Sequence, residues 1–363
     1  MARVFVSVLI DTYNHERYIE EAVSSVLTQN FPAEEREVLV VDDGSSDRTA
    51  EILRRFGSEI RVLRKANGGQ ASAFNVGIPE CRGEIIAFLD GDDWWVPGKL
   101  RRIAEVMAGD PSLGAVGHGI IESFSDGAER PIAIGSASRF RLDSISSAEF
   151  FRLHRCYLGT SRLTLRSSVA RKILPIPQSL VFEADEYLFT LAPALADATI
   201  LPDLLTHYRI HGANLFMSAG ANPEGERCKQ RVLAALAVEL CRALTLLGVS
   251  PGVARIILEL IEAEAAQLRL KLDGGFPWET FRTETAVYRI QHPDVDWKSE
   301  AFRTLTMIPA LFLPPRWFYA GRQWLGSQPW YVRVRKSAIP SPAFVPLPPQ
   351  EQGCGRANPK PHE

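Results

Sequence analysis

Three carboxylates in four residues, Asp90, Asp92 and Asp93, follow directly on the apolar run Ile85 to Leu89. Acids crowded this closely repel one another unless a cation neutralises them. Oxygen ligands of this kind suit Mg²⁺ or Mn²⁺, which take one or two carboxylates from a protein while phosphates and water complete the shell. A second acidic pair, Asp42 and Asp43, follows the apolar stretch that ends at Val41, and a third group, Glu183, Asp185 and Glu186, lies far down the chain. A carboxylate there has the chemistry of a general base, taking a proton from an attacking hydroxyl. Asp185 shares a helical face with Leu188 and Phe189, which points it inward and makes it the expected base; Glu186 is the reserve. Solvated acidic turns, and helix starts where acids suit the dipole, carry the same letters. The elements that position these residues therefore decide.

The run Ile85 to Leu89 reads as a buried strand with its acids at the C-terminal end, the edge at which open α/β sheets bind ligands. Gly91 lets the backbone turn so that Asp90 and Asp92 can face one ion. Val4 to Ile10 reads as a first strand, followed by the loop Asp11-Thr12-Tyr13-Asn14. A helix over Arg17 to Gln29 follows, with Ile19, Ala22, Val23, Val26 and Leu27 on one face. Glu37 to Val41 is a second strand; Asp42 to Asp47 supplies N-caps for a helix from Arg48 to Phe56. Ile60 to Leu63 leads through Asn67-Gly68-Gly69-Gln70 into a helix over Ala71 to Gly77. A helix over Lys99 to Ala108 and a strand over Leu113 to Ile121 come next, with Gly117-His118-Gly119 leaving room for a ligand or marking a sheet kink. Absence of GxGxxG after the first strand, and of GxxxxGK[ST] anywhere, argues against dinucleotide and P-loop chemistry.

Four blocks in order, VSVLIDTYNHERYIEEAVSSVLTQNFP, VLVVDDGSSDRT, NGGQASAFNVGI and AFLDGDDWWVPGKL, resemble the signature blocks of family 2 glycosyltransferases. The resemblance implies the GT-A fold: an α/β protein with a nucleotide-binding central mixed sheet flanked by helices, here with a C-terminal helical appendage. It further implies that Asp11, Tyr13 and Asp43 contact base and ribose, that Asn67, Gly69 and Gln70 line the same pocket, and that Asp90 and Asp92 form the DxD that meets the ribose and holds a divalent ion on the diphosphate. Glu183 to Glu186 is similar to the family's acceptor-side acidic block, usually Glu-Asp but split here, which leaves Asp185 and Glu186 as the two candidate bases. Leu205 to Asn214 resembles the Tyr-Arg-x-His-x-x-Asn block, in which Arg209 and His211 would neutralise the departing diphosphate or complete the metal shell. The implied activity is inverting, metal-dependent transfer from a nucleoside-diphosphate sugar to a hydroxyl of a glycan, lipid-linked or protein acceptor, in cell-surface polysaccharide or glycoconjugate synthesis. The strand-end acids also suit a nucleotidyltransferase that makes a sugar nucleotide, or a non-catalytic sugar-nucleotide-binding module.

At 363 residues, 46% hydrophobic and 23% charged, the chain has an ordinary globular composition, and a net charge of −2 argues against general nucleic-acid binding. Five scattered cysteines without CxxC spacing suggest reduced thiols and a cytoplasmic protein; the first residues do not read as a signal peptide. The expected organisation is a nucleotide-sugar half at 1–122, an acceptor half at 123–215, a helical hairpin without chemistry of its own at 216–300, a basic tryptophan-rich segment at 301–336 and a disordered Pro-rich tail at 337–363. For 301–336 two readings stand: peripheral contact with the inner face of the plasma membrane, or packing of its aromatics on the hairpin.

Overall fold

Apolar runs without polar interruption become central strands. In the computed structural model, which describes residues 4–211, 223–291, 297–326 and 328, strands β1 (Val6–Thr12), β2 (Arg36–Asp42), β3 (Arg61–Arg64) and β4 (Ile85–Asp90) pair in parallel in the order β3-β2-β1-β4. The side chains of β1, β2 and β4 alternate between two apolar layers. Val8, Ile10, Val38, Val40, Ala87 and Leu89 join one, while Leu9, Leu39, Val41, Ile86 and Phe88 join the other, so both faces are dry. Helix α1 (Ile19–Leu27) and α2 (Thr49–Arg54) cover the first layer and α3 (Gln70–Glu80) the second.

The sheet continues through β5 (Trp94–Trp95), β6 (Leu113–Phe124), β7 (Glu129–Ile132), β8 (Ser138–Phe140), β9 (Thr164–Arg166) and β10 (Asp197–Ile210). Antiparallel β9 joins β4 to β6, β10 runs parallel to β6, and the edge order beyond β4 is β9-β6-β10-β5. The expected mixed sheet flanked by helices is therefore present. Helix α4 (Lys99–Gly109) packs in the first layer, and α5 (Ile145–His154), α6 (Ser167–Ile173) and α7 (Ala184–Leu195) in the second. The Gly117 expectation resolves without a ligand: a Cβ there would lie 2.5 Å from the Tyr157 carbonyl oxygen, and one at Gly119 2.8 Å from that of Ile132. The chain's own backbone fills the space, and His118 is fully buried with Nδ1 2.8 Å from the Gly119 carbonyl oxygen.

C-terminal helices follow as expected: α8 (Pro223–Leu246), α9 (Pro251–Asp273), α10 (Pro277–Gln291), α11 (Trp297–Met307) and α12 (Pro315–Gly326). The apolar stripes of α8 and α9, with Leu233, Leu236, Leu240, Ile257 and Ile261, merge into the core layer of α3 and α7. Met307, Ala310, Phe318 and Tyr319 close a smaller cluster on Leu270 of α9. No helix among the described residues is long and apolar enough to cross a membrane. The tail at 337–363 and Gly212 to Asn214 lie outside the described residues.

Candidate active site

Register brings the acids together. Asp11 at the end of β1 pairs with Asp90 at the end of β4, and Thr12 with Asp42 at the end of β2. The ladder runs one step beyond the strands: the Gly91 N–H donates to the Asp11 carbonyl (2.9 Å) and the Asp43 N–H to that of Thr12 (2.9 Å). Gly91 is required for space. A Cβ there would lie 2.7 Å from both His15 Nδ1 and Thr12 Oγ1, so a side chain would push the acidic loop off the β1 loop.

These strand ends floor a cavity of about 800 Å³ that also reaches α7. Asp11, Tyr13, Asp43, Asn67, Gly69, Gln70, Asp90, Asp92, Asp185, Glu186 and His211 all line it; of the expected residues only Arg209 does not. Arg209 stands behind the wall. Its Nε donates to the Asp92 carbonyl (2.8 Å), its guanidinium pairs with Glu21, and it lies 4.3 Å from the Trp94 ring centre and 4.8 Å from that of Tyr18. From there Arg209 braces the Asp92 loop, its guanidinium engaged by the aromatic faces, Glu21 and the loop carbonyl.

Asp43 organises the nucleotide-side loop. Its carboxylate accepts from the backbone N–H groups of Gly69 (2.7 Å) and Gly68 (3.1 Å) and pairs with Lys65. Gly69 takes φ +82°, and a Cβ there would fall 2.5 Å from the Val181 carbonyl oxygen, so both conformation and space demand glycine. Gln70 crosses the cavity: its Nε2 donates to Thr160 Oγ1 (3.1 Å), and its Oε1 accepts from the Ala184 N–H (3.0 Å).

Thr160 in turn donates both its N–H (2.9 Å) and its hydroxyl (3.0 Å) to Asp185 Oδ2, while Asp185 Oδ1 accepts from the Glu186 N–H (2.9 Å). Three bonds fix the carboxylate and leave a lone pair on Oδ1. Glu186 is buried in an ion pair with Arg155. Glu183, which precedes α7 in the left-handed region at φ +61°, lines the same cavity. The hairpin, expected to hold no chemistry, contributes Leu233 of α8 and Glu264 of α9 to the wall. Neither stands out in sequence, since Leu233 is one apolar residue of a helical stripe and Glu264 one acid of an acidic helix.

The floor is an electrostatic problem. Burial, then the charge of Asp185, pushes Asp11 up to about 8. Burial and the charge of Asp11 push Asp90 well above the carboxylate range, so the floor opposes ionising both acids at once. Asp93 rises to about 7 through burial and Asp92. Burial also opposes charge on Asp92, but a hydrogen bond from His211 Nε2 to Oδ2 (3.0 Å) and the nearby His15 hold its carboxyl below its ordinary value. Beneath them Lys99 is fully buried, its Nζ donating to the Ser161 carbonyl (2.7 Å) and Thr206 Oγ1 (3.0 Å), and Ser161 Oγ accepts from the Asp90 N–H (3.0 Å).

Among the described residues no group of three or more His, Cys, Asp or Glu side chains is placed to hold a metal ion by itself. The donor set nevertheless fits an open site for a hard cation. Asp92 and His211 already touch, Asp90 is adjacent, and Asp11 Oδ1 is buried without a hydrogen-bond partner among the described residues. Ions of this class bind through one or two carboxylates plus substrate oxygens.

Comparison with known proteins agrees with this geometry. The family model described as Glycosyl transferase family 2 matches residues 7–169. An uncharacterized glycosyltransferase of Nostoc sp. is 34% identical over 233 residues, spanning 62% of this chain and 71% of that protein. The poly(ribitol-phosphate) beta-N-acetylglucosaminyltransferase TarS of Staphylococcus aureus is 38% identical over 92 residues, 24% of this chain and 16% of TarS. The solved structure of TarS 1–349 with UDP-GlcNAc superposes with a TM-score of 0.57 at 20% identity, covering 88% of this chain and 92% of that one. The mannosyltransferase PcManGT of Pyrobaculum calidifontis, solved with GDP-Man and Mn²⁺, gives 0.51 at 19% identity, covering 93% and 88%. At these identities the structures speak for the fold, which is GT-A. The Nostoc protein matched over most of its length and the family model over the acid-bearing strands together place the chain in glycosyltransferase family 2.

Proposed function

We propose that this glycosyltransferase moves a sugar from a nucleoside-diphosphate donor to a hydroxyl acceptor with inversion, in the synthesis of cell-surface polysaccharide or glycoconjugate. One observation carries the reading: Asp185 and the Asp90–Asp92 edge line one cavity from opposite halves of the chain. Asp11, Tyr13 and Asn67 receive base and ribose, with the Asp43-held glycine loop shaping that end. Asp92 and His211, with Asp90 beside them, would hold Mg²⁺ or Mn²⁺; when bound, the ion supplies the positive charge that offsets the leaving diphosphate. UDP-GlcNAc in TarS, and GDP-Man with Mn²⁺ in PcManGT, support both the donor class and the ion.

Asp185, oriented by Thr160 and through it by Gln70, takes the acceptor proton as the oxygen bonds to the anomeric carbon and the carbon–diphosphate oxygen bond breaks. Glu186 is committed to Arg155 and holds the wall. The acceptor enters between α7 and the hairpin, past Leu233 and Glu264. The expected test result is that Asp185→Asn lowers kcat by about 10²–10⁴-fold while donor binding is unchanged. Transfer that persists in excess chelator would remove the ion from this reading, and a product retaining the donor's anomeric configuration would remove inversion.

A further inference from the structure

Five neighbouring residues of the last two described helices and their connection expose an unusual amount of apolar surface. Phe312 is 75% exposed, Trp317 73% and Trp324 62%, with Leu311 and Leu313 also open. On α12 the inner face is committed: Phe318 and Tyr319 are buried in the small cluster on Leu270, and Arg322 pairs with the buried Glu284. The opposite face carries Trp317, Ala320, Gly321 and Trp324, all exposed, at the i, i+3, i+4, i+7 spacing of one helical stripe, and it contains no charge. A surface helix normally turns polar residues outward. Exposed Trp297 and Leu305 of α11 add to the same segment.

Charge selects the occupant. From Ala301 to Gln350 the sequence has no acid, while Arg303, Arg316, Arg322, Arg333, Arg335 and Lys336 are basic, in a chain whose net charge is −2. The structure refines that count: Arg303 and Arg322 both pair with Glu284, so they secure the helices, while Arg316, which donates to the Leu272 carbonyl (2.8 Å), keeps an exposed positive charge beside the aromatic face. A second copy seated on this face would set like charges against each other. Anionic lipid would not.

We propose that α12 and the Leu311–Leu313 corner form an interfacial docking surface for an anionic bilayer, with the tryptophan and phenylalanine rings at headgroup depth and Arg316 on lipid phosphate. The surface lies on the bilayer without crossing it. It is independent of the donor reading, because none of its residues lines the cavity.

The test uses the full chain in sedimentation with phosphatidylcholine vesicles and with phosphatidylcholine–phosphatidylglycerol vesicles. Expected are binding to the anionic vesicles with a blue shift of tryptophan emission, weakening in high salt, and a roughly tenfold or greater loss of partition for Phe312→Ser/Trp317→Ser. Both side chains are largely exposed, so that variant keeps the fold, checked by an unchanged melting curve. Failure to bind anionic vesicles at low salt would overturn the proposal. So would equal binding by the variant, or a lipid-free dimer of the parent chain that the variant dissolves.

Discussion

Asp11 and Asp90 are neighbours across a parallel ladder, and neither can ionise freely next to the other in a dry floor. An aspartate at about 8 in the folded chain and near 3.9 when unfolded binds its proton more tightly when folded. The folded state then holds more protons than the unfolded one, so this contribution is complete below the unfolded value and disappears as pH rises through about 8. The melting temperature of the metal-free chain is expected to fall between about pH 4 and pH 8, with a shallower fall in Asp11→Asn. Added Mn²⁺ should raise it more at the upper end, because cation and proton compete for the same oxygens. A flat profile in the parent chain would contradict the raised Asp11.

At the scale of elements, the acids were legible because strands announce themselves. Val6 to Thr12 and Ile85 to Asp90 are apolar on both faces, so their ends, and the residues there, could be placed from the sequence alone. Asp185 was legible for a different reason, its position beside Leu188 on an apolar helix. What escaped were contacts set by long-range packing: the Thr160 relay between Gln70 and Asp185, the buried Lys99 under Ser161, and the diversion of Arg209 onto Trp94 and Tyr18. Thr160 and Ser161 sit in a short turn without periodicity, and no spacing rule finds them. The loop between β3 and α3 is equally exacting. Gly69→Ala meets the Val181 backbone in an unfavourable φ region and is expected to cost about 1–3 kcal/mol in urea unfolding while weakening nucleoside-diphosphate binding, since shifting the loop displaces the Gly68 and Gly69 N–H groups from Asp43.

At the scale of the molecule, the C-terminal hairpin is structurally continuous with the catalytic layer. Leu236 is fully buried in the same cluster as Phe88 and Leu188, so Leu236→Ala should cost about 2–5 kcal/mol and lower the single melting transition of the whole chain. A separate early transition, with the sheet unaffected, would show that the hairpin melts alone. The sequence showed the hairpin's stripes and its turn but not their target, because a helical stripe records that a face is covered and is silent about what covers it.

The cavity wall at Leu233 and Glu264 comes from helices that follow the sheet in the chain, whereas Asp11, Asp43 and Asp90 stand at strand ends near its beginning. Wall and floor of this chamber are therefore encoded in well-separated stretches of the sequence, and substitutions in one leave the residues of the other unchanged.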